Sequence, residues 1–141
     1  MISKFRGLSI DENNKGKWQY GYLIEDTGQS FIINEVIEAN EQYITIGSWY
    51  PVRPDTVSQS TGFEDNCGDA IFEGDIILWT YWDEFEDSGR AKIVFDKGMF
   101  KLLDICTEKE VWDNLFDCNE NCDIYITGNV YENPELLEVT E

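Results

Sequence analysis

The run Ile76-Ile77-Leu78-Trp79-Thr80-Tyr81-Trp82 constrains this chain most. Seven consecutive branched or aromatic residues, entered through Glu73-Gly74-Asp75 and left through Asp83-Glu84-Phe85-Glu86-Asp87, read as a β-strand bounded by turn and loop signals. A strand needs partners, and the rest of the chain offers them. Trp18 to Ile24 is aromatic and branched, stops at Glu25-Asp26-Thr27-Gly28, and resumes at Ser30-Phe31-Ile32-Ile33, a strand, turn, strand unit. Glu41 to Tyr50 predicts a third strand, with Tyr43, Thr45, Gly47 and Trp49 on one face and Ile44, Ile46 and Ser48 on the other. Pro51-Val52-Arg53-Pro54 breaks that pattern, because proline removes a ladder donor and holds the preceding residue extended.

Beyond the break, residues 62–69 are rich in turn formers. Arg90 to Phe95 alternates, with Ala91, Ile93 and Phe95 on one face and Arg90 and Lys92 opposite. Asp96-Lys97-Gly98 turns the chain into Met99 to Ile105, completing a hairpin. Residues 108–117 fit either a short helix or loop. Asp123 to Tyr131 alternates again, and Asn133-Pro134-Glu135 opens a short C-terminal helix over 134–138. The fold class is therefore mainly β, with seven or eight short strands. Residues 1–58 form an N-terminal β subdomain, and residues 59–141 form a small meander or SH3-like barrel ending in the short helix. At 141 residues the two make one cooperative unit.

Twenty-nine acidic residues against ten basic ones give a net charge of -19. Such a chain repels nucleic acid and anionic membrane surfaces, so neither is an expected partner. With 42% hydrophobic and 14% aromatic residues it nevertheless has the means to fold, unlike a disordered acidic tail. No stretch approaches the length of apolar sequence a spanning helix needs, and the first residues carry no apolar signal core. Together with four cysteines this predicts a cytoplasmic protein with free thiols.

The complete absence of histidine removes the Ser-His-Asp and Cys-His arrangements, the His-containing zinc sites and the commonest neutral-pH general base. Cys118 and Cys122, with Cys106 upstream and Cys67 far off, could offer thiolates to zinc. One such pair without histidine is a weak metal signature, and buried or idle thiols are the expected state. Asp117, Glu120 and Asp123 flank the pair and would raise the thiol pKa, the wrong direction for a nucleophile. Residues 117–123 set oxygen donors at alternate positions, as a calcium loop begins, but Cys122 and Gly128 stand where such a loop needs glycine and glutamate. Glycine-rich phosphate loops are absent. No catalytic, cofactor-binding or metal-ligating residue is assigned, and no cofactor is expected. The candidate interaction surface is Trp82 and Phe85 with Asp83, Glu84, Glu86 and Asp87, an aromatic pair exposed beside a charged loop.

Four blocks carry a family resemblance. They are Lys4-Phe5-Arg6-Gly7 with Trp18-x-Tyr20-Gly21-Tyr22-Leu23, then Val57-x-Gln59-x-Thr61-Gly62, then Asp65-x-x-Gly68-x-x-Ile71-Phe72-Glu73-Gly74-Asp75-Ile76-Ile77, and finally Gly128 to Leu137. Their order and spacing resemble the YopX-like family of small phage and prophage proteins. The resemblance implies a bacteriophage or prophage origin, a bacterial host cytoplasm and self-association, and it carries over no catalytic residue. The expected role is that of an accessory protein acting by protein binding or self-assembly, as a homo-oligomer or on a host or phage protein, and not as an enzyme. Two alternatives are an acidic DNA mimic directed at a host defence protein and a metal-dependent hydrolase using clustered carboxylates.

Overall fold

The computed structural model describes residues 4–81, 88–112 and 114–137. These form eleven strands, one short α-helix and two single-turn 3-10 segments, so the mainly β expectation holds. The chain divides into two compact units, Met1–Ser60 and Thr61–Glu141.

In the first unit, β1 (Phe5–Leu8), β2 (Trp18–Asp26), β3 (Gln29–Ala39), β4 (Ile44–Val52) and the start of β5 (Ser58–Glu64) form an antiparallel sheet in the order β4-β3-β2-β1-β5. Thr27 and Gly28 join β2 to β3 with φ of 45° and 80°, the paired positive angles of a tight turn whose twist matches that of the strands. Ile32 and Val52 are buried on the inner face with Leu8 and Ser30. Thr56 secures the corner, since its hydroxyl accepts from the Leu8 N–H at 2.9 Å and donates to the Arg53 carbonyl at 2.7 Å. The chain after β1 returns to the end of β4: the Ile10 N–H donates to the Pro51 carbonyl at 3.0 Å, and the Arg53 N–H to the Leu8 carbonyl at 2.9 Å. Those bonds cover the last residues of β4 and leave the rest of that edge alone.

β1 escapes a reading by hydrophobic pattern because it is short and includes Arg6. The Arg6 side chain is buried, and its guanidinium lies 4.3 Å from the centre of the Trp18 ring, where the ring face takes the place of solvent. β5 escapes it because Ser58-Gln59-Ser60-Thr61-Gly62 is polar. Gly21 is required where it stands, since a Cβ there would collide with the Ile33 carbonyl oxygen.

The second unit contains β6 (Ala70–Phe72), β7 (Asp75–Tyr81), β8 (Ser88–Asp96), β9 (Met99–Asp104), β10 (Glu110–Trp112), the helix α1 (Leu115–Asn121) and β11 (Cys122–Asn129). β7 to β10 make an antiparallel meander, and β11 adds to the other side of β7, giving the order β10-β9-β8-β7-β11. The meander is thus the half of the fold expectation that describes this unit. Lys97 and Gly98, with φ of 52° and 80°, make the tight turn between β8 and β9. Ile77, Ala91, Ile93, Leu102 and Ile124 from four strands pack with Leu115 and Cys118 of α1 into one core. Trp79 joins it from the side, edge-on to Trp112 with ring centroids 5.9 Å apart. On β8, Ala91 and Ile93 are buried as the alternation requires, whereas Phe95 is exposed and tilts against Phe100.

The helix falls later than residues 108–117. Asn114 caps it by accepting from the Asp117 N–H at 2.8 Å, so the preceding residues are free to form β10. The C-terminal turn over Pro134–Leu137 is 3-10 rather than α.

Candidate functional site

Trp82, Asp83, Glu84, Phe85, Glu86 and Asp87, the surface favoured by sequence, lie outside the described residues. The four cysteines are described and do not converge. Cys67 and Cys106 are exposed in turns, whereas Cys118 is buried in the middle of α1 and Cys122 at its C-cap. Burial pushes the Cys118 thiol well above its ordinary pKa, helped by the neighbouring Cys122. Burial also raises Cys122, with Asp123 adding to the effect and the hydrogen bond from Cys118 working against it. Desolvation, more than the flanking carboxylates, therefore keeps both thiols protonated at neutral pH. Residues 117–121 belong to α1, which keeps Asp117 and Asn121 on one face and turns Asn119 to another, so the alternate donors do not converge. Among the described residues no group of three or more Cys, Asp or Glu side chains is placed to hold a metal ion.

The unusual surface is on the first unit. β2, β3 and β4 bring Ile24, Phe31, Ile33, Ile46 and Trp49 around a shallow hollow of about 240 Å³. Cross-strand registers put most of these on one face: Tyr22 opposite Ile33, Ile33 opposite Trp49, and Ile24 opposite Phe31. Phe31 and Trp49 meet edge to face with centroids 5.6 Å apart, yet Trp49 remains 53% exposed. Strict alternation would separate Ile46 from Trp49. The pairing shifts from Glu35 opposite Ser48 to Val36 opposite Ile46, a bulge at Gly47 that turns Ile46 into the same hollow as Trp49. A side chain at Gly47 would run into the Glu35 carboxylate, so glycine admits that close approach.

Beyond Asn34, β3 keeps only β4 as a neighbouring strand, and Val36, Ile37, Ile44 and Ile46 are all exposed on this two-stranded arm. A two-stranded ribbon is marginal in water by itself, and apolar residues on both of its faces are unexpected for a solvated surface. Charge sets the first unit apart as well. Residues 1–60 carry eight acidic and five basic side chains, net -3, whereas residues 61–141 carry twenty-one and five, net -16.

The edges are managed unequally. β6 and β10 are three residues each. β11 is covered by a turn: Asn66 donates its N–H to the Ile124 carbonyl at 2.8 Å, its side chain accepts from the Ile124 N–H at 2.9 Å, and Asp65 accepts from the Ile126 N–H at 3.1 Å. β4 is nine residues long and carries no charge, and among the described residues no strand lies beside Ile44 to Tyr50 on the side away from β3. That combination is what a pairing edge presents.

Among the described residues no helix is long and apolar enough to cross a membrane. No curated protein matches the chain. Two solved structures are similar to it over their full lengths. Protein EF1440 from Enterococcus faecalis is 26% identical with a TM-score of 0.64, over 98% of this chain and 99% of that one. Protein yopX from Bacillus subtilis shares the fold at 21% identity with a TM-score of 0.53, over 100% of both. The profile of the family described as YopX protein matches residues 4–138, nearly the whole of the chain, which therefore belongs to the YopX family.

Proposed function

We propose that this protein is a phage or prophage accessory protein of the bacterial cytoplasm that works by self-assembly or protein binding rather than by catalysis. The observation that carries the reading is the first unit's bare, uncharged β4 beside an apolar sheet face, in a chain of net charge -19. A soluble domain with that much acidic surface has no need to expose Ile24, Ile44 and Trp49 together unless something covers them. The family's phage and prophage membership supports the setting. Apolar and backbone contacts hold in salt, whereas contacts made by charge alone are screened. Light scattering on the purified protein tests the reading. An oligomer that persists at raised salt agrees with it, and a single chain at every concentration, without a retained host protein, contradicts it.

One observation favours a second reading. The net -16 of residues 61–141 suits an acidic mimic of DNA that occupies a basic groove on a host protein. A partner released both by salt and by added duplex DNA would support this, and a partner indifferent to both would remove it.

A further inference from the structure

We infer that the occupant of the β4 edge is a second copy of this chain, its own β4 running antiparallel so that the two sheets become one. This deepens the self-assembly reading and rests on it. Three observations single out a second copy.

The first is the content of the strand. In a twofold antiparallel pairing the open residues Ile44 to Tyr50 meet residues of the same stretch, so any charge there would be brought against the other copy's strand and toward its like across the axis. Ile-Thr-Ile-Gly-Ser-Trp-Tyr-Pro-Val contains none, although more than a quarter of the chain is charged. The second is charge at larger scale. Two copies of a protein with net charge -19 repel, and the least costly approach is through the unit whose net charge is only -3.

The third is the apolar character of that edge. Ile44, Ile46 and Trp49 on β4, with Val36 and Ile37 on the neighbouring β3, are each 40–65% exposed, and a second copy of the same strand would cover them. Pro51 does not interfere, since its carbonyl already serves Ile10 where the chain after β1 covers the end of the strand. The open length is Ile44 to Tyr50, enough for several new ladder bonds.

The test compares two variants of the full chain. Thr45→Lys adds a charge to an exposed position on the edge, opposite Glu38 of β3, where the fold accommodates it. Ile24→Glu places a charge on the apolar face of β2, two strands from the edge. Light scattering is expected to give the wild type as an oligomer and Thr45→Lys as a single chain, with the unfolding midpoint of dilute protein unchanged by the substitution. In the wild type, hydrogen exchange of amides within residues 44–50 is expected to slow with rising protein concentration. Thr45→Lys assembling like wild type while Ile24→Glu falls to single chains would overturn edge pairing in favour of stacked faces, leaving the self-assembly reading in place. A wild type that is a single chain, with those amides protected only when a host protein is bound, would overturn the second copy itself.

Discussion

Replacing Asp65 by alanine should destabilise the protein by about 3–4 kcal/mol, and the structure shows how that figure divides. The Asp65 carboxylate is 7% exposed and accepts three backbone hydrogen bonds, from the Cys67 N–H at 3.0 Å, the Asp69 N–H at 2.9 Å and the Ile126 N–H at 3.1 Å. A bond to a charged acceptor contributes about 1.5–3 kcal/mol when its partner is left dry. Cys67 and Asp69 are exposed, so water can replace the carboxylate there and each loss falls to about 1 kcal/mol. Ile126 lies in β11 against the core, so its loss stays near 2 kcal/mol. Asp65→Asn keeps one acceptor and turns a donor toward another N–H, for a loss of about 2 kcal/mol. Urea unfolding measures both variants, and amide exchange at Ile124 and Ile126 should accelerate in the alanine variant, because the turn that covers β11 is released. A loss below about 1 kcal/mol in Asp65→Ala, with unchanged exchange, would refute the assignment of this carboxylate as the clamp on that edge.

Three further outcomes are expected. Leu102→Ala empties a fully buried site in the second unit's core and should cost about 2–5 kcal/mol in a denaturant titration. Stability should fall as pH rises above about 8.5, because the unfolded chain releases its thiol protons there while Cys118 and Cys122, raised by burial, hold theirs. The unfolded state then binds fewer protons than the folded one, which makes the slope negative, and a Cys118→Ala, Cys122→Ala variant should flatten it in melts taken across that range. Ile44→Thr keeps a β-branched residue at a position 65% exposed, so dilute protein should unfold within about 0.5 kcal/mol of wild type. Its association should weaken about 30- to 1000-fold, the equivalent of about 1–2 kcal/mol at each of two symmetric sites, read by sedimentation.

The hairpins were legible because their turn chemistry is local: Thr27-Gly28 and Lys97-Gly98 supply the positive φ that tight turns need. β1 and β5 were not, since one hides an arginine under a tryptophan and the other is polar, and both owe their pairing to residues far away in sequence. The position of α1 had a signal in Asn114 and Asp117, a cap and its first-turn acid. The proposed β4 surface was not singled out by sequence for a different reason. Aromatic density drew attention to Trp82 and Phe85, whereas the distinguishing mark of β4 is the absence of charge over nine residues of a very acidic chain. That mark gains its meaning only once the strand is seen at the edge of a sheet. The bulge at Gly47, which unites Ile46 with Trp49, could not be read from alternation at all.

The most direct test of association through the first unit is sedimentation of the wild type across a dilution series at low and at high salt, with Thr45→Lys run alongside. The account predicts a wild-type oligomer that persists or tightens as salt screens the charge, and a variant that sediments as a single chain. A wild type that sediments as a single chain under every condition, or an oligomer the variant leaves intact, would contradict it.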